Sequence, residues 1–293
     1  MSADGAAGLV VVDKPVGITS HDVVARLRRM AGTRKVGHAG TLDPMATGVL
    51  LIGVNRATRL LGHLMLTQKE YDGVIRLGVS TTTDDAEGEI VSQGSAAGVS
   101  DEAIRAALAG FVGDIEQVPS AVSAIKVNGQ RAYDRVRAGE QVSLDARPVT
   151  VHSIEVGSVS RDGEVVDVAI SVTCSSGTYI RAIARDLGAA LGVGGHLARL
   201  RRTSVGPFDL ADASTLEQLA VRFEMLPIAE VAARCFPAYT VHDDDARAVS
   251  FGRKLDVDLG AAGPVAVFDE GGSFLALYEQ QGPVAAAVAV FLG

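Results

Sequence analysis

The sequence predicts an α+β fold: a mixed or antiparallel sheet flanked by helices, followed by a small β unit. Three observations predict it. Strand-like and helix-like stretches are mixed without the regular alternation that a parallel, doubly wound sheet requires. Residues 143–159 and 164–172 are long and rich in β-formers. From Cys235-Phe236-Pro237 onward the chain turns to short apolar segments, such as 265–268 and 274–278, separated by Gly and acidic residues. This places a boundary between a unit at 1–235 and a small β domain at 236–293.

The elements follow in order. Residues 9–12 are an apolar run ending at Asp13-Lys14-Pro15-Val16-Gly17, a buried strand entering a turn. Thr19 or Ser20 caps a helix over 21–30, with Val23, Val24 and Leu27 on one face and Arg26 and Arg29 elsewhere. The glycine-rich stretch 37–48 reads as a loop, and 49–54 as a strand buried on both faces. Residues 57–65 look helical. Residues 71–77 alternate as a strand, and 81–88 form a polar, acidic loop expected to cross the surface. Residues 100–109 fit a capped helix with Ile104 and Leu108 at core spacing. After Ser175-Ser176-Gly177, residues Ile180, Ile183, Ala184, Leu187 and Leu191 mark an amphipathic helix.

A chain of 293 residues, 47% hydrophobic and 21% charged, can bury a large core. Its apolar runs are broken before the roughly 20 residues that a membrane helix needs, and residues 1–8 are small and polar. A cytoplasmic protein is the expectation. Cys174 and Cys235 are too few and too far apart for a disulfide framework or a zinc site, and read as inert thiols. There is no Gly-x-x-x-x-Gly-Lys-Ser/Thr phosphate loop, which disfavours nucleotide hydrolysis.

The net charge of -8 argues against a nucleic-acid partner, since phosphate binding ordinarily leaves a basic footprint. The distribution is uneven, however. Residues 1–60 carry eight Lys/Arg against four Asp/Glu, net +4; residues 236–293 carry three against eight, net -5. The basic residues cluster at Arg26, Arg28, Arg29, Arg34 and Lys35, and again at Arg199, Arg201 and Arg202. If RNA is the partner, these two clusters are expected to carry the contact, more than the acidic C-terminal part.

Chemistry concentrates in the stretch 37–48, where His38 and Asp43 lie five residues apart. Pro44 disfavours helical backbone at Asp43, and the glycines permit close approach of a substrate. A carboxylate so placed can act as nucleophile or base. The same residue types also suit a plain turn in which Asp43 accepts from local amides.

The longer pattern points one way. Gly37-His38-Ala39-Gly40-Thr41-Leu42-Asp43-Pro44, continued as Met45-Ala46-Thr47-Gly48, resembles the catalytic-aspartate motif of TruB-type tRNA pseudouridine synthases. It is joined, in the family's order, by Asp13-Lys14-Pro15, Lys69-Glu70-Tyr71, and Ser123-Ala124-Ile125-Lys126-Val127-Asn128-Gly129. Gly177-Thr178-Tyr179-Ile180-Arg181, Asp186-Leu187-Gly188 and Leu200-Arg201-Arg202-Thr203 complete the series, over about residues 9–210. The resemblance implies the pseudouridine-synthase fold, with a C-terminal PUA-like domain that is here reduced and only faintly similar.

It further implies isomerisation of uridine 55 in the T-arm of tRNA, by flipping the base, breaking its N-glycosidic bond and rejoining it through carbon. No metal or organic cofactor and no obligatory protein partner is implied, and a monomer is expected. By matching position Asp43 is the essential carboxylate, attacking ribose or base or assisting through a glycal intermediate. Tyr71 stacks on the base and shuttles a proton; Arg181 pairs with Asp43 and opposes the pKa rise that burial causes. His38, Lys14, Tyr179, Leu200 and Asp85 are implied substrate-binding residues, Leu200 as an apolar wall and Asp85, with Asp84, in a loop that reads unstacked bases. Two other readings are an RNA-binding module with a structural Asp43, and the guide-RNA-dependent relative that works inside a multi-protein particle.

Overall fold

The structure, a computed structural model, describes residues 5–120, 126–127, 130–131 and 144–292. Of the 123–129 stretch only the backbone of Lys126–Val127 falls among them, so the expectation there lies outside the described residues. In chain order the strands before the C-terminal unit are β1 (Gly8–Lys14), β2 (Val36–Ala39), β3 (Thr47–Val54), β4 (Lys69–Leu77), β5 (Val79–Thr81), β6 (Ile90–Gln93) and β7 (Gly113–Gln117). They continue with β8 (Lys126–Val127), β9 (Gln130–Arg131), β10 (Arg147–Asp162), β11 (Val165–Cys174), β12 (Gly195–Val205), β13 (Phe208–Asp209) and β14 (Leu226–Pro227).

One sheet organises the molecule, in the order β14-β1-β3-β12-β4-β11-β10-β7, with β2 on β3 and β13 on β12. Its neighbours run antiparallel except β3 and β12, which run parallel through Thr47/Arg201 and Gly48/Arg202. The fold is α+β around a mixed sheet. That single parallel contact brings the loop before β3 beside β12. It requires a glycine: Gly48 has φ +98°, and a Cβ there would collide with the Arg202 carbonyl oxygen.

Apolar side chains explain the strands. Leu9, Val10, Val11 and Val12 are all buried, as are residues 48–54, because both faces of the sheet are covered here. The helix Ser20–Met30 buries Val23, Val24 and Leu27, and Thr19 closes a capping box with Asp22. The helix Ile180–Ala190 lays Ile183, Ala184 and Leu187 into the same core.

Three elements differ from the expectations. Residues 36–39 are strand, not loop, because Gly37 and His38 pair with Gly53 and Ile52 of β3. Residues 57–65 are not one helix: a 3₁₀ turn, Asn55–Arg59, precedes the short helix Leu61–Leu64, and Leu60 closes the tighter bond to Ala57. The 81–88 loop does not simply cross the surface. The Leu197 amide donates to Asp84, Ala86 donates back to Leu197, and Asp85 is driven inward.

The C-terminal unit is a four-stranded sheet of β15 (Ala238–Thr240), β16 (Val265–Phe268), β17 (Phe274–Gln281) and β18 (Val284–Val290), with β15 and β16 parallel. Phe268, Phe274, Leu277 and Phe291 share one apolar cluster with Leu9, Val11, Leu51, Leu60 and Leu64. Arg56 and Arg59 donate to the carbonyls of Phe291 and Val290, both at 2.8 Å. Among the described residues no helix is long and apolar enough to cross a membrane.

Candidate active site

Asp43 sits in the turn between β2 and β3, and its neighbours are pinned on both sides. The Ser20 hydroxyl accepts from the Leu42 amide at 2.9 Å and donates to the Leu42 carbonyl at 3.1 Å. The Lys14 ammonium donates to the carbonyls of Pro15, Ile18 and Pro44 at 2.9, 2.7 and 3.3 Å, and the Gly17 amide also reaches Pro44. On the other flank Arg202 donates to the Gly40 carbonyl at 3.1 Å. A carboxylate on so restrained a turn is held in place before substrate arrives.

Arg181, in the first turn of its helix, joins two carboxylates. Its Nε lies 3.1 Å from Asp43 Oδ2, and its Nη1 lies 3.2 Å from Asp85 Oδ2 and donates to the Thr83 carbonyl at 2.9 Å. The guanidinium and Asp85 are both buried, whereas the Asp43 side chain keeps 37% of its exposure and opens outward. Burial pushes the Asp43 carboxyl above the usual range and Asp85 adds to the rise; Arg181 and then Lys14 oppose it. On balance the carboxyl stays raised.

Asp43 opens onto a cavity of about 290 Å³ whose walls include Lys69, Tyr71, Tyr179, Arg181, Leu200 and Arg202. Tyr71 comes from β4 and Leu200 from β12, antiparallel neighbours. Tyr179 caps the Arg181 helix, its amide and carbonyl bracketed by the Gln117 side chain at 2.8 and 3.1 Å. Burial raises the Tyr71 phenol, opposed by the Arg202 guanidinium, so the ring keeps its proton. The cavity thus combines a carboxylate, a protonated phenol and an apolar wall, a set suited to acid–base work on a flat, base-sized group.

The structure therefore brings Asp43, Arg181, Tyr71, Tyr179 and Leu200 together. It gives three other residues different positions. Lys14 is wholly buried, its ammonium committed to carbonyls and lowered to about 8 by burial, so it braces the Asp43 turn and offers no surface to RNA. Asp85 is 3% exposed. Its carboxylate accepts from the Thr83 hydroxyl and the Glu87 amide besides Arg181, an arrangement that anchors the arginine and leaves no edge for an unstacked base. His38 lies on β2, edge-on to His21 with ring centroids 5.4 Å apart, and is not among the residues that line the cavity. Burial lowers its pKa, which keeps the imidazole neutral.

The basic clusters also divide. Arg28, Arg29, Arg34 and Lys35 are exposed. In the second cluster only Arg199 is exposed; Arg201 makes a two-pronged pair with Asp13 at 3.1 and 2.8 Å, and Arg202 is 1% exposed. Arg202, Lys69, Gln117 and Ser20 are site residues that sequence reasoning missed. For Arg202 and Lys69 the available signal was their place two residues from Leu200 and Tyr71 in the quoted motifs.

Comparison with known proteins bears on this geometry. Residues 28–180 match the family model for the N-terminal domain of TruB family pseudouridylate synthase, and residues 181–226 that for the tRNA pseudouridylate synthase B C-terminal domain. The chain belongs to the TruB family. Residues 236–292 match a third TruB model, tRNA pseudouridine synthase II, C terminal. Among similar relatives, tRNA pseudouridine synthase B of Arthrobacter sp. (strain FB24) is 58% identical, over 97% of this chain and 96% of that protein. The protein of the same name from Streptomyces griseus is 57% identical over 97% of each. Among solved structures, a Cbf5-Nop10-Gar1 complex contains a chain 28% identical with TM-score 0.73, covering 97% of this TruB chain and 85% of that one. An H/ACA RNP bound to a substrate RNA containing 2'-deoxyuridine contains one 26% identical with TM-score 0.72, over 98% and 85%.

Proposed function

We propose that this TruB-family chain is a tRNA pseudouridine synthase that isomerises uridine 55 in the T-arm, with Asp43 as its essential carboxylate. The observation that carries the reading is the Asp43–Arg181 pair at the floor of a cavity walled by Tyr71, Tyr179 and Leu200. A uridine stacked in a folded loop is out of reach of such a recessed carboxylate, so it must be flipped into the cavity. There Tyr71 and Leu200 offer flat and apolar contact to the base. The N-glycosidic bond breaks, the base turns and rejoins the ribose through C5, and the proton lost from C5 is balanced by one gained at N1. Asp43, ionised against Arg181, supplies the negative charge by attack on ribose or base or through a glycal. The Tyr71 phenol is the proton carrier in the same cavity.

The reading includes two domains, 1–235 for catalysis and 236–293 as a small accessory β domain, in a cytoplasmic monomer that works without guide RNA. Identities of 54–58% to proteins named tRNA pseudouridine synthase B, against 26–28% to the solved H/ACA chains, favour independent action. Modification mapping on an unmodified tRNA transcript tests it. The purified chain alone is expected to convert one T-loop uridine, and Asp43→Asn to bind the transcript without converting it. Conversion by Asp43→Asn at near wild-type rate would sink the assignment, and a need for added protein or guide RNA would favour the particle-dependent reading.

A further inference from the structure

We propose that Gln117 is a positioning residue: its carboxamide fixes the start of the helix Ile180–Ala190 and, through it, the place of the Arg181 guanidinium against Asp43. The inference rests on the reading of Asp43 given above. Gln117 ends β7, the outermost strand in the sheet order, and is buried. Its Oε1 accepts from the Tyr179 amide at 2.8 Å, and its Nε2 donates to the Tyr179 carbonyl at 3.1 Å. One side chain thus does for Tyr179 what the opposed residue does in a hydrogen-bonded antiparallel pair, although 62 positions separate the two. Tyr179 itself has extended backbone, with φ -103° and ψ 106°, and is the N-cap of the helix.

Tyrosine has no short side-chain oxygen of the kind that ordinarily caps a helix. Its carbonyl accepts the first helical bonds, from the amides of Ala182 at 3.1 Å and Ile183 at 3.3 Å, and Gln117 donates to that same oxygen. The carboxamide therefore sets the peptide plane from which the helix departs, two residues before Arg181. Asp85 and Thr83 anchor the Nη1 end of the guanidinium, but Nε, which lies 3.1 Å from Asp43, is the nitrogen nearest the backbone and follows it. Farther along, Arg185 Nη2 donates to the Val118 carbonyl at 2.8 Å, and Ile183, Ala184 and Leu187 lie in the core. Loss of the Gln117 amide thus loosens the start of the helix and leaves the rest docked. The residue type fits the role, since a carboxamide offers a donor and an acceptor without charge. An ionised glutamate can only accept, and would set an oxygen against the Tyr179 carbonyl. If packing were the only requirement, an apolar side chain would fill the space with no polar group to satisfy.

The test uses the full chain labelled with carboxyl-13 carbon aspartate, the Asp43 resonance being assigned by its loss in Asp43→Asn. The charged groups that act on Asp43 are Arg181 from the helix, Asp85 and Glu87 from the acidic loop and Lys14 from β1. Gln117 is uncharged and is not among the residues that line the cavity, so it reaches the Asp43 carboxyl only by moving one of these groups. In Gln117→Leu the Asp43 titration point is expected to rise by about half a unit to one unit, a fraction of the one to three units for losing a charge partner outright. Single-turnover conversion of tRNA is expected to fall roughly a hundredfold, the order that a misplacement of about 1 Å costs, with little change in binding. Placed in Arg181→Gln, Gln117→Leu is expected to move the titration point by no more than about 0.3 unit further, because the two act through one guanidinium. An unmoved titration point, an equal rise with and without Arg181, or a wild-type rate would each overturn the proposal. If Gln117→Leu melts below the assay temperature, Gln117→Asn, which keeps the amide and shortens its reach, takes its place under the same outcomes. The titration needs no turnover, so a wild-type chain inactive on tRNA would sink the proposed function while the Asp43 resonance still decided the role of Gln117.

Discussion

Arg181 separates Asp43 from Asp85, holding one carboxylate at 3.1 Å through Nε and the other at 3.2 Å through Nη1. The two acids differ in what surrounds them: Asp85 is closed in by Thr83 and Glu87, and Asp43 faces the cavity. One cation thus anchors itself on the enclosed acid and restrains the pKa of the acid that faces the cavity.

The first prediction concerns pH. The Asp43 carboxyl is raised by burial and then by Asp85, and lowered by Arg181. A reaction that needs the carboxylate is complete above its folded pKa and lost as pH falls through it. Arg181→Gln removes the lowering influence, so the acidic limb of the single-turnover rate is expected to move up by about one to three pH units. The profile, measured with saturating tRNA between pH 5 and 9, checks it; an unmoved limb would mean that Arg181 does not govern Asp43.

Asp85→Asn is expected to move the same limb the other way. The substitution removes a like charge beside Asp43, so the carboxyl ionises at lower pH. It also deprives a buried guanidinium of one partner, with a stability loss of about 3 kcal/mol, the low end for breaking a buried pair. Denaturant melts and the pH profile together test this. A stability loss with a limb moved upward would contradict the role given to Asp85.

Lys14→Met leaves three carbonyls without their donor, at a net stability cost of about 2 kcal/mol or more. The folded lysine titrates near 8 and the unfolded one near its ordinary value of 10.5. Between these values the unfolded wild type binds more protons than the folded one, so wild-type stability rises with pH through that window. The Met variant lacks this slope. Its deficit, read from urea melts at pH 7.5 and pH 10, is expected to widen with pH. An equal deficit at both would show that the lysine does not titrate as its burial implies.

Removing residues 238–293 is expected to damage the remaining chain itself, and not only its hold on RNA. Phe268, Phe274, Leu277 and Phe291 would leave Leu9, Val11, Leu60 and Leu64 facing water, at about 1.5–3 kcal/mol for each large side chain fully exposed. A lowered Tm and binding of an apolar dye are the expected results. An unchanged Tm would mean that the acidic unit is separable, and its part in tRNA affinity could then be measured directly.

Much of the molecule was legible from residue order. Periodicity located β1, β3, β4 and the helices at 20–30, 101–109 and 180–190, because their faces are apolar at strand or helix spacing. The family pattern singled out Asp43, Tyr71 and Arg181 together, although 138 positions separate the first from the last. Burial of charge was not legible. Arg201 and Arg202 are adjacent and chemically alike, yet one pairs with Asp13 near the surface and the other lies beneath the cavity, since neighbours on a strand point to opposite faces. The burial of Asp85 and Lys14 was hidden for the same reason. A sequence displays their charge, but only the packed sheet decides whether that charge meets water, RNA or a buried partner. Composition and spacing therefore determined the fold class, and the family pattern singled out the carboxylate proposed to react. Tertiary structure decided which charges hold that carboxylate in place, because desolvation and hydrogen-bond satisfaction depend on residues brought together from distant parts of the chain.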